Sequence, residues 1–66
     1  MRKGTTKAIE WYLYDVIRLG EFDDPATGEV NLTGAAESCF GVFDIKEDDE
    51  RPYEIAFKVA EKLGKL

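Results

Sequence analysis

The stretch Lys7-Ala8-Ile9-Glu10-Trp11-Tyr12-Leu13-Tyr14-Asp15-Val16-Ile17-Arg18-Leu19 decides the fold class, because its residues suit either regular structure. Trp11-Tyr12-Leu13-Tyr14 and Val16-Ile17 are good strand formers. The spacing favours a helix. Ile9, Leu13, Val16, Ile17 and Gly20 recur at helical intervals, and Ala8, Trp11, Tyr12 and Leu19 widen that apolar face. Lys7, Glu10, Tyr14, Arg18 and Glu21 take the other side. A strand would alternate, and the segment is long for one. A helix over Lys7–Leu19 is therefore expected. Thr5 or Thr6 is placed to cap it, and Gly20 to stop it by adopting a left-handed backbone.

Outward from this helix, Glu21 to Asn31 reads as a loop. Asp23-Asp24-Pro25 and Thr27-Gly28 each mark a turn. Val30 and Leu32 then return the chain to the core, through a short extended segment. A second helix is expected to begin at Thr33, with Leu32 before the cap as a hydrophobic staple. Its buried stripe is Ala35, Ala36, Cys39, Phe40 and Phe43, and Gly41 weakens its end. Pro52 suits the first residue of a third helix, and Glu47-Asp48-Asp49-Glu50 place negative charge ahead of it, as the helix dipole prefers. Tyr53, Ala56, Phe57, Val59, Ala60 and Leu63 form the apolar face of this third helix, and Gly64 ends it. The expected fold is all-α: a small three-helix domain, residues 1–66, with one long acidic loop between helices one and two.

Composition narrows the function. The chain has 66 residues, close to the lower size at which a domain folds alone, so a second copy is one candidate source of extra burial. It has one cysteine and no histidine. An intrachain disulfide and a four-ligand Cys/His zinc site are both excluded. A reducing compartment is the expectation for so few cysteines. No apolar run approaches the ~18 residues of a membrane-spanning helix. Glu10 and Asp15 interrupt the only apolar region near the basic N-terminus, so no secretory leader is expected and the location is read as cytoplasmic.

The net charge is −5, unevenly spread. Residues 21–50 carry ten acids against Lys46 alone, a net of −9, whereas the segments on either side each carry +2. An acidic middle repels a phosphate backbone. Leu32-Thr33-Gly34-Ala35-Ala36-Glu37 followed by Phe40-Gly41-Val42 has a faint helix-turn-helix character. The helix that should then enter DNA opens behind Glu47–Glu50, so nucleic acid is the disfavoured alternative.

A calcium loop starting at Asp23 is a further alternative. Thr27, Gly28 and Val30 fall where such a loop has an oxygen ligand, a glycine and an apolar anchor. Pro25 and Gly34 occupy the places of two strong ligands, so a plain turn is favoured and no metal or cofactor is expected. No glycine-rich phosphate loop is present. Catalysis without histidine would fall to carboxylates, Lys, Tyr or Cys39. Cys39 lies on an apolar stripe where thiols are inert, and Asp15 is spaced to pair with Arg18.

Two features point to a partner. Trp11, Tyr12, Tyr14 and Phe22 are more aromatic surface than so small a domain buries with ease, and Trp and Tyr are frequent binding anchors. Glu47, Asp48, Asp49 and Glu50 suit a basic partner. The sequence is read as a noncatalytic protein-interaction or regulatory domain. Its partner is expected to be another protein, a basic one or a second copy of itself.

Overall fold

A computed structural model describes residues 1–66. The chain runs β1 (Arg2–Lys3), α1 (Thr6–Arg18), α2 (Leu32–Val42), β2 (Phe43–Asp44) and α3 (Arg51–Lys62). Three helices carry the fold. The all-α expectation needs correction, because β1 and β2 pair in parallel, Arg2 against Phe43 and Lys3 against Asp44. A single antiparallel bridge joins Asp23 to Val30 and pinches the α1–α2 connection. The radius of gyration is 11.1 Å, against about 11 Å for a compact chain of this length.

Thr5 caps α1 with its hydroxyl, which accepts from the Ala8 N–H at 3.1 Å. The second helix begins one residue earlier than its sequence suggests. Asn31 is the cap, its side-chain oxygen accepting from Gly34 N–H at 3.0 Å, so Leu32 is the first helical residue and not a staple ahead of Thr33. Phe43 leaves that helix for β2, where its extended backbone meets β1. α1 and α3 end in the same way. Gly20 (φ 77°) and Gly64 (φ 70°) turn left-handed, and the following N–H groups of Glu21 and Lys65 donate back to the carbonyls of Val16 and Ala60. Each bond satisfies a carbonyl that the last turn would leave unpaired.

The core is built from large residues on α1 and small ones opposite. Ile9, Leu13 and Ile17 are fully buried, against Ala35, Ala36 and Cys39 of α2 and Ala56 and Ala60 of α3. Alanines let helix backbones approach closely. α3 packs against both other helices. It runs parallel to α1: the Arg51 guanidinium at its start reaches Thr6, and Lys65 beyond its end reaches the Ile17 carbonyl. The expected apolar face of α3 is too wide, because Tyr53 and Phe57 stand exposed on its flank. No helix is long and apolar enough to cross a membrane.

Candidate functional site

Helical geometry splits the aromatic cluster of α1. Lys7, Trp11, Tyr14 and Arg18 are spaced four, three and four apart, so they form one line along the outward face. Trp11 is 68% exposed and Tyr14 is 42% exposed. Tyr12 turns the other way. Its ring packs edge-on against Phe43, with centroids 5.6 Å apart and planes at 87°. Its hydroxyl lies 2.8 Å from Ser38 Oγ, and Ser38 in turn donates to the Ala35 carbonyl at 2.6 Å. Ser38 has spent its only proton there, so Tyr12 is the donor of the pair. Arg2 lies over both the Tyr12 and Phe43 rings, its guanidinium carbon 5.9 and 5.3 Å from the two centroids. Phe22 is half-buried against the core. Of the four aromatics, the structure presents Trp11 and Tyr14 together and withdraws Tyr12 and Phe22.

Trp11 and Tyr14 edge a groove of about 390 Å³ between α1 and α3. Val59, only 2% exposed, forms its floor. Glu10, Asp15, Arg18 and Lys62 make the rim. Asp15 and Arg18 pair at 3.6 Å on the open surface, where such contacts contribute little to stability. Glu10 and Lys62 make no ion pair.

The acidic run lies elsewhere, and its four members differ. Asp49 is tied into the fold. Its carboxylate accepts from the Arg51 backbone N–H at 3.0 Å and from the Arg51 guanidinium at 2.6 to 3.1 Å. These hydrogen bonds hold the Asp49 carboxyl below its ordinary value and the Arg51 guanidinium above its own. Glu47, Asp48 and Glu50 are exposed. The hollow beside this run is lined by Lys3, Thr5 and Arg51 among others and shares no residue with the Trp11 groove.

The remaining candidates satisfy themselves internally. In the 23–34 loop, Asp24 accepts from Ala26 N–H at 2.8 Å, Thr27 accepts from Glu29 N–H at 3.2 Å, and the Asp23 carboxylate faces Lys65 Nζ at 3.2 Å. No group of three or more acidic or thiol side chains is gathered to hold a metal ion. Cys39 is fully buried, and burial pushes its thiol up to about 11. Eight residues, 43–50, separate α2 from α3, longer than the three- or four-residue turn of a helix-turn-helix.

Sequence reasoning missed one exposed pair. Tyr53 and Phe57, one turn apart, edge a shallow hollow on the flank of α3 nearest α2, where Tyr53 also meets Phe40 at 6.2 Å between centroids. Alanines at 56 and 60 give α3 a narrow buried face, and that narrowness is the signal that places 53 and 57 outside it. No family model, curated protein or solved structure matches this chain.

Proposed function

We propose that this chain is a noncatalytic protein-interaction domain that docks a partner protein in the α1–α3 groove. The observation that carries the reading is the exposure of Trp11 beside Tyr14 over the apolar floor of Val59. A tryptophan left in water forgoes the burial that so large an apolar ring ordinarily gains. Aromatic anchors beside an apolar floor, with charged residues around them, match the usual anatomy of an interface. The rim has carboxylates and cations but no histidine or thiol, so no histidine-activated hydroxyl or thiol pair can form there.

The test is affinity capture from a lysate of the source cell at low and moderate salt, with and without nuclease. The bait is the wild-type chain, with Trp11→Ala and Tyr14→Ala alongside, each first checked for unchanged helicity. The expected result is a protein retained at both salts, insensitive to nuclease and lost with either variant. Retention that ignores both substitutions would remove the groove from the proposal. Loss on nuclease treatment would move the function to nucleic acid. Turnover that depends on Asp15 or Cys39 would overturn the noncatalytic reading.

A further inference from the structure

The geometry points to a second copy of this chain as the occupant of the groove, packed about a two-fold axis close to Tyr14 so that Glu10 of each protomer meets the Lys62 end of the other. This rests on reading the groove as a docking surface and adds the identity of the partner.

Charge argues for self-association at this face. The whole chain carries −5, so two copies repel over most approaches. The groove rim carries no net charge, because Glu10 and Asp15 are matched by Arg18 and Lys62. Two acidic chains meet with least repulsion where the local charge cancels. A strongly basic partner would instead be drawn to the acidic segments.

The rim charges are also segregated along the groove. Glu10 and Arg18 stand one helical turn before and after Tyr14, about 6 Å in either direction. Lys62 lies towards the Arg18 end, because α1 and α3 run parallel. Asp15 and Arg18 lie beside each other and offset one another locally, which leaves Glu10 and Lys62 as charges of opposite sign without an ion pair. A two-fold axis between them reverses one groove on the other. Each Glu10 then faces a cation, and Trp11 and Tyr14 of both copies close over the centre. A two-fold contact has to be self-complementary in this way.

The contact is a modest one. The molecule measures 32 × 20 × 18 Å, and one such face buries at most about the 800 Å² per partner of a standard interface. Reversible association in the micromolar range is expected.

The experiment is sedimentation velocity on the full chain from about 10 µM to about 1 mM, the range in which a contact of this size titrates. Wild type is compared with Trp11→Ala, Glu10→Lys and Lys62→Glu, each with its helicity confirmed, and with a one-to-one mixture of the last two. Wild type should shift from monomer to dimer. Trp11→Ala should weaken the dimer by at least about tenfold. Glu10→Lys and Lys62→Glu should each weaken it, because like charges then meet on both sides of the axis. Mixing them should restore it, since every contact in the mixed dimer joins opposite signs. A wild-type chain that stays monomeric throughout overturns the inference, as does a dimer indifferent to Trp11→Ala or a mixture no tighter than its components. If the chain stays monomeric while lysate capture still depends on Trp11, self-association falls and the docking reading survives. If capture ignores Trp11 as well, both fall.

Discussion

The Arg51 guanidinium donates to the Gly4 carbonyl at 2.9 Å and so fastens the N-terminal arm to the first turn of α3. The same group reaches Thr6 Oγ1 at 3.1 Å and grips both oxygens of Asp49. One planar fork thus ties together the N-terminal arm, the first residue of α1 and the loop before α3, alongside the β1–β2 pairing and the packing of α1 on α3. Lysine carries the charge without the fork. Arg51→Lys is therefore expected to lower the melting temperature and to loosen the arm before the helices. Hydrogen exchange should rise at β1 and β2 while the α1 and α2 amides keep their protection. A uniform rise across the chain would show that Arg51 stabilises the whole fold and not this junction.

Asp49 makes the same junction sensitive to acid. Its carboxyl is held below the ordinary value of 3.8, chiefly by hydrogen bonds from the Arg51 side chain and backbone. A depressed folded-state value adds stability above the unfolded value and loses it as pH falls through the folded one. Wild type should thus exceed Asp49→Asn in stability at neutral pH. The gap should close as pH falls below about 3.8. Denaturant melts of both proteins at several pH values measure it. A gap that persists unchanged into acid would mean that the carboxylate charge does not matter.

The helices were legible in the sequence because their signals are local. Thr5 caps, Gly20 and Gly64 stop, and the 3.6-residue spacing of Ile9, Leu13 and Val16 sets the buried face. The β1–β2 ladder was not legible. Arg2 and Lys3 look like a charged tail, and their strand partners lie far along the chain, where no periodicity reaches. The aromatic cluster was half legible. The sequence puts Trp11 with Tyr12 on the apolar face and only Tyr14 on the other side, whereas Trp11 stands outward and Tyr12 is withdrawn by partners on α2 and β2 that only the tertiary fold supplies. Asp49 shows the same limit, since its acidic neighbours give no hint that it alone is bound by Arg51.

Neighbours on α1 should respond to truncation in opposite ways. Trp11 has its ring largely in water, so Trp11→Ala is expected to change stability by no more than about 0.5 kcal/mol. Tyr12→Phe removes the donor to Ser38 and leaves the ring against Phe43. It should cost about 1 kcal/mol, the usual net value of one such hydrogen bond. Chemical denaturation of the two variants under dilute conditions gives both numbers. A larger loss for Trp11→Ala than for Tyr12→Phe would contradict the assignment of Trp11 to the surface.

Cys39 reports on the integrity of the core. The thiol is fully buried among Ala35, Ala36 and the α3 alanines, and its value is pushed up from 9.0 to about 11 by loss of solvation. The reactive species is the thiolate, which such a shift makes about a hundredfold scarcer near pH 8. Alkylation by iodoacetamide should therefore be slow on the folded chain, by at least about that factor relative to the chain in denaturant. Because the folded value is raised, the thiol's contribution to stability is complete below 9.0 and is lost as pH rises towards about 11. Wild type should lose stability over that interval more steeply than Cys39→Ala, whose lower starting stability reflects the lost packing. Equal slopes, or fast alkylation of the native protein, would place the thiol in contact with water and would require α2 to open from α3 far more readily than this packing implies.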